Sequence, residues 1–82
     1  MELREEILQK IINKASQLFG KDPAELNENT RFVEDLNAKS TNIVQIITVL
    51  EDEYDVEITF MEFRRKKTFG EAADYVVQLL EG

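Results

Sequence analysis

Ser40-Thr41-Asn42-Ile43-Val44-Gln45-Ile46-Ile47-Thr48-Val49-Leu50-Glu51-Asp52-Glu53-Tyr54 is the stretch on which the fold turns. Many of its residues are β-branched, a composition that favours strands. The spacing says otherwise. Ile43, Ile46, Ile47, Leu50 and Tyr54 follow one another at steps of three, one, three and four, which is one face of a helix. A span of this length with a 3.6-residue period and no Gly or Pro is a helix, because packing of the apolar face outweighs the small propensity penalty. It begins near Ser40.

Downstream, Val56 and Ile58 lead the chain away. Thr59-Phe60-Met61-Glu62 and Thr68-Phe69-Gly70-Glu71 then both match a capping box, a hydroxyl followed three residues later by Glu. The first opens a short third helix whose C-terminal end carries Arg64, Arg65, Lys66 and Lys67, where positive charge suits the helix dipole. The second opens a last helix with Phe69, Ala72, Ala73, Val76 and Leu80 facing inward. Upstream, Leu3, Ile7, Leu8, Ile11, Ile12, Ala15 and Leu18 form one stripe and Gly20 stops it, so a first helix spans about residues 2–18. Asp22-Pro23-Ala24-Glu25 predicts a single capped turn. A polar loop with Asn27, Asn29 and Thr30 follows, anchored on the core by Leu26, Phe32 and Leu36. The expected fold is all-α: a four-helix bundle of three longer helices and a short third, with a long loop between the first and second. Residues 1–82 form one domain, without linker, repeat or low-complexity tract.

Composition narrows the function. A chain of 82 residues builds one small core. It has no cysteine and no histidine, which removes disulfides, thiolate nucleophiles, zinc-thiolate sites and the commonest general base. An autonomous enzyme is not expected. The formal charge of −7 disfavours nucleic acid and anionic membranes and steers the chain toward basic partner faces. No apolar run is long enough for stable membrane insertion, and Glu2, Arg4, Glu5 and Glu6 after Met1 do not make a signal peptide. A cytoplasmic monomer is expected. The acidic run Glu51, Asp52, Glu53, Asp55 and Glu57 lacks the Gly and the ligand spacing of an EF-hand, so no metal site is read there.

Phe32-Val33-Glu34-Asp35-Leu36-Asn37-Ala38-Lys39-Ser40-Thr41 resembles the acyl carrier protein signature, an acidic-Leu-Gly-X-Asp-Ser-Leu run that ends at a modified serine. The resemblance continues through Leu50-Glu51-Asp52-Glu53-Tyr54-Asp55-Val56-Glu57-Ile58 and resumes at Thr68-Phe69-Gly70-Glu71-Ala72. Each motif alone is weak, but their order and spacing over the whole chain are specific. The resemblance implies that Ser40 bears 4′-phosphopantetheine, attached by a separate phosphopantetheinyl transferase that uses coenzyme A and magnesium. The arm's thiol would hold acyl intermediates as thioesters for acyl-transferring, condensing or ligase enzymes of fatty acid, lipid or polyketide-type biosynthesis. Such a cofactor brings its own thiol, in keeping with the missing cysteine. Lys39, Thr41, Val44, Gln45, Thr48 and Glu51 are the implied partner contacts. Two alternatives stay open: an unmodified interaction module on the carrier fold, and an aminoacyl or peptidyl carrier. For Ser40 itself, a plain N-cap is the competing role.

Several positions depart from the family pattern. Lys39 stands where the family has Asp before the serine, and that Asp is implied to help the transferase place its magnesium. Asn42 and Gln45 replace acidic residues, Thr41 replaces Leu and Asn37 replaces Gly. With the Arg64–Lys67 run, these changes point to a specialised carrier rather than the housekeeping one. Ile43, Ile47, Leu50, Phe63 and Val76 would supply an apolar interior, either as plain core or as shelter for a bound acyl chain.

Overall fold

A computed structural model describes residues 2–82. Its helices are α1 (Leu3–Phe19), α2 (Ser40–Tyr54), α3 (Phe60–Arg64) and α4 (Phe69–Glu81), with one 3-10 turn at Pro23–Glu25. Among the described residues there is no strand, only an isolated antiparallel bridge between Arg31 and Thr68. The β-branched second segment is therefore helical, as its period requires: Ile43, Ile46, Ile47 and Leu50 are all buried. Their partners are Ile7, Ile11, Ile12 and Ala15 of α1, Phe63 of α3, and Phe69, Ala72, Ala73 and Val76 of α4. These stripes make one apolar cluster, and burying each large side chain in it contributes roughly 1.5–3 kcal/mol.

Local chemistry ends the elements where the residues suggest. Gly20 adopts φ 64°, in the left-handed region that favours glycine, and its N–H reaches Ser16 O to close α1. The Asp22 carboxylate accepts from Ala24 N–H at 2.9 Å and Glu25 accepts from Asp22 N–H, so that capping box is present. The box expected at Thr59 is not: no side-chain bond caps α3 there. At α4 the box is displaced by one residue. Thr68 Oγ1 accepts from Glu71 N–H at 3.1 Å, but the Glu71 carboxylate covers Lys67 N–H at 2.9 Å. The basic run is also less helical than expected. Arg64 ends α3, Arg65 caps it, and Lys66 and Lys67 lie in the connection to α4.

The long loop is held by its backbone. Phe69 N–H donates to Thr30 O at 2.9 Å, Phe32 N–H to Lys67 O at 3.1 Å, and Gly70 N–H to Glu28 O at 2.9 Å. This ladder drops Phe32 against Phe69 and Phe63, with ring centroids 4.8 and 5.9 Å apart. Leu26 and Phe32 are buried and Leu36 packs at the edge, so the three anchors act as read from the sequence. Thr30 is also buried, with Oγ1 accepting from Asn27 N–H at 2.9 Å, a role that its polar surroundings concealed. Outside the ladder, Arg4 bridges Glu28 and Asp74, tying α1 to the loop and to α4. Tyr54 Oη donates to Glu6 at 2.7 Å and joins the end of α2 to α1. Burial and the facing Glu6 carboxylate together push the Tyr54 hydroxyl above its ordinary pKa.

Gly70 is required by the close approach. A Cβ on it would stand 3.0 Å from Glu28 O and 3.2 Å from Glu28 Cβ. Gly70→Ala should therefore cost about 1–3 kcal/mol, the usual penalty for overpacking, and lower the thermal midpoint. An unchanged midpoint in a melting experiment would show that the loop moves aside freely.

Candidate functional site

The start of α2 is prepared by the segment before it. Arg31 N–H donates to Asp35 Oδ2 at 2.8 Å, and its guanidinium donates to Asp35 Oδ1 at 3.0 Å, which rolls residues 31–35 into a turn. These bonds, the guanidinium's first and the backbone's second, hold the Asp35 carboxyl below its ordinary pKa. Asn37 then takes φ 53°. Only Gly, Asn and Asp enter this left-handed region readily, so Asn is a workable replacement for the Gly of the family signature. With Asn37 N–H on Val33 O at 2.8 Å and Ala38 N–H on Phe32 O at 2.9 Å, the chain reverses and delivers Lys39 to the helix start.

Lys39, not Ser40, occupies the N-cap position, and its N–H is covered by Asn42 Oδ1 at 2.9 Å. Ser40 is the first helical residue and is exposed. Among the described residues its hydroxyl has no hydrogen-bond partner, so it does not serve as a cap. With neither His nor Cys anywhere in the sequence to activate it, this hydroxyl is an ordinary alcohol.

Ser40 stands at the mouth of a cleft of about 400 Å³ between the start of α2 and the α3–α4 connection. Buried Phe32 and Ile43, with Ala38, form its inner wall. Lys39, Arg64, Lys66 and Lys67 line the rest, and Val33 and Glu34 complete the edge. Lys66 Nζ lies 5.2 Å from the centre of the Tyr75 ring, and Glu34 is drawn to Arg31 at 3.7 Å. Lys39, Arg64 and Lys67 have no acidic partner within 4.0 Å among the described residues. A basic pocket edge thus surrounds Ser40 in a chain of net charge −7. Reading along the sequence placed Lys39 there but not Arg64, Lys66 or Lys67. What brings them is the Phe32–Lys67 backbone bond, which has no signature in composition or periodicity.

Charge along α2 runs against its own dipole. Its first turn has no acidic residue and its last turn no basic one, while Glu51, Asp52 and Glu53 crowd its C-terminal end. Each reversed charge near a helix end costs roughly 0.3–1 kcal/mol. The other long helices at least open with the favourable sign, Glu5 and Glu6 in α1 and Glu71 in α4.

Of the remaining predicted contacts, Thr41, Val44, Gln45 and Thr48 are exposed along the outer side of α2. Thr48 Oγ1 donates to Val44 O at 2.9 Å, within the helix. Glu51 is committed within the chain: Oε2 accepts from Ile58 N–H at 2.8 Å and pins the connection between α2 and α3. Two further apolar side chains are exposed in the region of the cleft and α3, Val33 at 64% and Met61 at 52%. Their residue types did not distinguish them from core.

Comparison with known proteins agrees with this geometry. Residues 9–76 match the family described as "Phosphopantetheine attachment site". The chain is 41% identical over 75 residues to an acyl carrier protein of Rubrobacter xylanophilus, covering 92% of this chain and 93% of that one. The chain belongs to the acyl carrier protein family. It is also similar to an acyl carrier protein of Lactobacillus acidophilus, 40% identical over 88% of this chain and 90% of that one. A solved acyl carrier protein structure from Enterococcus faecalis superposes with TM-score 0.77 at 32% identity, over 95% of this chain and 99% of that one. Acyl carrier proteins are carriers rather than catalysts, and the prosthetic group they hold covalently is 4′-phosphopantetheine. The residues at the start of α2 fit that group: a free alcohol for a phosphate ester, and cations to meet its charge.

Two outcomes follow. Lys39→Asp supplies both a capping carboxylate and the favourable sign at the helix start, so it should stabilise the fold by about 1 kcal/mol in urea denaturation. A loss of stability would mean that Lys39 makes a contact that secures the helix. Asp35 contributes stability above the ordinary carboxylate pKa and loses it as pH falls through its lowered value. Asp35→Asn should be less stable than the parent near neutrality and converge with it in acid. Parallel curves at every pH would remove the Arg31–Asp35 pair from the account.

Proposed function

We propose that Ser40 carries the 4′-phosphopantetheine arm and that this chain presents acyl groups, held as thioesters on the arm's thiol, to enzymes of fatty acid, lipid or polyketide-type biosynthesis. The observation that supports this most is the Ser40 hydroxyl itself. It is exposed, free of any capping duty, and set at the mouth of a cleft on the first turn of α2. A fixed helical turn gives an external transferase one approach angle, and the site asks nothing further of the serine. The carrier acts as a cytoplasmic monomer, and partner enzymes read Thr41, Val44, Gln45 and Thr48 along the outer side of α2, with Lys39 at its start and Glu51 at the far end. Ile43, Ile47, Leu50, Phe63 and Val76 are all used as core, so sheltering a bound chain among them requires α2 and α3 to part.

The carrier is a specialised one. Lys39, Arg64, Lys66 and Lys67 around Ser40 repel the basic docking face that an acidic carrier would seek. Charges held at the ends of α2 against its dipole support this, because stability alone would select the opposite signs.

A second reading, an unmodified interaction module on the same fold, is favoured by Lys39 alone. Intact mass measurement with coenzyme A and transferases of strict and of broad specificity separates the two. The expected result is a phosphopantetheine-sized gain that disappears in Ser40→Ala. No gain with any transferase sinks the carrier reading. In a reconstituted assay, Lys39→Asp with Asn42→Asp and Gln45→Glu should raise coupling to a housekeeping synthase. An unchanged rate would make these charges irrelevant to partner choice.

A further inference from the structure

Among the described residues, three cations near Ser40 have no acidic partner within 4.0 Å, and the one carboxylate on the same cleft, Glu34, is turned to Arg31 at 3.7 Å. Lys39 is the N-cap of α2, Arg64 ends α3, and Lys67 lies in the connection that pairs with Phe32. They come from two stretches of the chain, 25 residues apart at the nearest on the numbering of Lys39 and Arg64, and line one cleft of about 400 Å³, within the size of small-molecule sites, roughly 300–1,000 Å³. Arg65, the neighbour that does have an acidic partner (Glu62, at 3.7 Å), does not line it. Like charges gathered without a counter-ion repel one another, and here they also oppose the dipole of α2. An anion bound among them would relieve both penalties. The anion must be small enough to enter beside the serine and carry an apolar continuation, because the inner wall is Phe32, Ala38 and Ile43.

We propose that this cleft is an anion site in which Lys39, Arg64 and Lys67 hold the phosphodiester of the arm, so that the arm lies down along the cleft instead of extending into solvent. The inference rests on Ser40 being the attachment residue. It adds that this chain's own cations hold the phosphate and fix the arm's direction. A carrier of this kind exposes its thiol toward α3, and a partner must lift the arm off before using it. The ion pairs are surface-exposed and weaken with salt, since the screening length falls from about 10 Å at 0.1 M to about 3 Å at 1 M.

The test uses two samples. In the first, wild type and a Lys39→Gln/Arg64→Gln/Lys67→Gln variant are both modified with coenzyme A, checked by intact mass, and compared by NMR. Wild type at low salt should show contacts between the arm's paired methyl groups and the Ile43 and Ala38 methyls, with a broadened ³¹P signal. Both features should be lost in the triple variant and in 1 M salt. A sharp ³¹P signal without contacts in modified wild type overturns the clamp while leaving Ser40 as the attachment residue. Contacts that persist unchanged in the triple variant show that the apolar wall alone holds the arm, which also overturns it. In the second sample, unmodified protein is titrated with free 4′-phosphopantetheine. Shifts of the Lys39, Ser40 and Lys67 amides, weakened about tenfold in the triple variant, support the site. No shifts overturn it, and this arm decides the matter even if Ser40 refuses modification.

Discussion

The short backbone ladder between the long loop and the start of α4 is the constraint on which the rest depends. Three bonds, Phe69 to Thr30, Phe32 to Lys67 and Gly70 to Glu28, join segments that are far apart in sequence. Two of them satisfy amides at the opening of α4, those of Phe69 and Gly70, that would otherwise lack partners, since the first N–H groups of any helix have none within it. They also decide where Phe32 goes, and Phe32 closes the core between α3 and α4. The absence of a Cβ at Gly70 is what lets the two backbones come this close. Loosening this seam would release the loop that delivers Ser40 together with the connection that delivers the cations.

The helices were legible because their cause is local. Each stripe, from Ile7-Ile11-Ile12 to Phe69-Ala72-Ala73-Val76, repeats at the helical period and is buried as that period requires. Gly20 and the Asp22-Pro23 cap likewise act within a few residues of themselves. The capping motifs show the limit of such reading. Thr59-Glu62 and Thr68-Glu71 are the same pattern, yet only Thr68 caps, because the loop ladder fixes the backbone at α4 while α3 is a single short turn. The site divides in the same way. That Ser40, Thr41, Val44, Gln45 and Thr48 share the exposed side of one helix was legible from its period. That Arg64, Lys66 and Lys67 share a cleft with Ser40 depends on a pairing between residues 32 and 67 that no periodicity announces. Glu51 shows a second role that no periodicity announces, since its carboxylate also accepts from Ile58 N–H.

The electrostatics of α2 set function against stability. A helix selected for stability alone would open on acidic residues and close on basic ones, as α1 and α4 open. In α2 both ends are reversed, and the N-cap is a lysine that has no acceptor to offer. The bundle tolerates this because Ile43, Ile46, Ile47 and Leu50 bury a continuous face, and that burial is worth several times the end effects. Core packing therefore leaves the ends of α2 free to be set by what meets them.

With Ser40 as the attachment residue, the arm would complete the helix that bears it. Attachment places a phosphodiester on the first turn of α2, where the free amides and the positive end of the dipole favour an anion. The same charge comes within reach of Lys39, Arg64 and Lys67, which repel one another until it arrives. The unmodified chain is then the electrostatically strained form and the modified chain the satisfied one. The acidic end of α2 lies more than ten residues away, farther than the screening length of about 8–10 Å, and keeps its sign in both forms. Modification would thus change the charge a partner meets at the start of α2 and leave the far end constant, so that one helix presents both a state-dependent and a state-independent face.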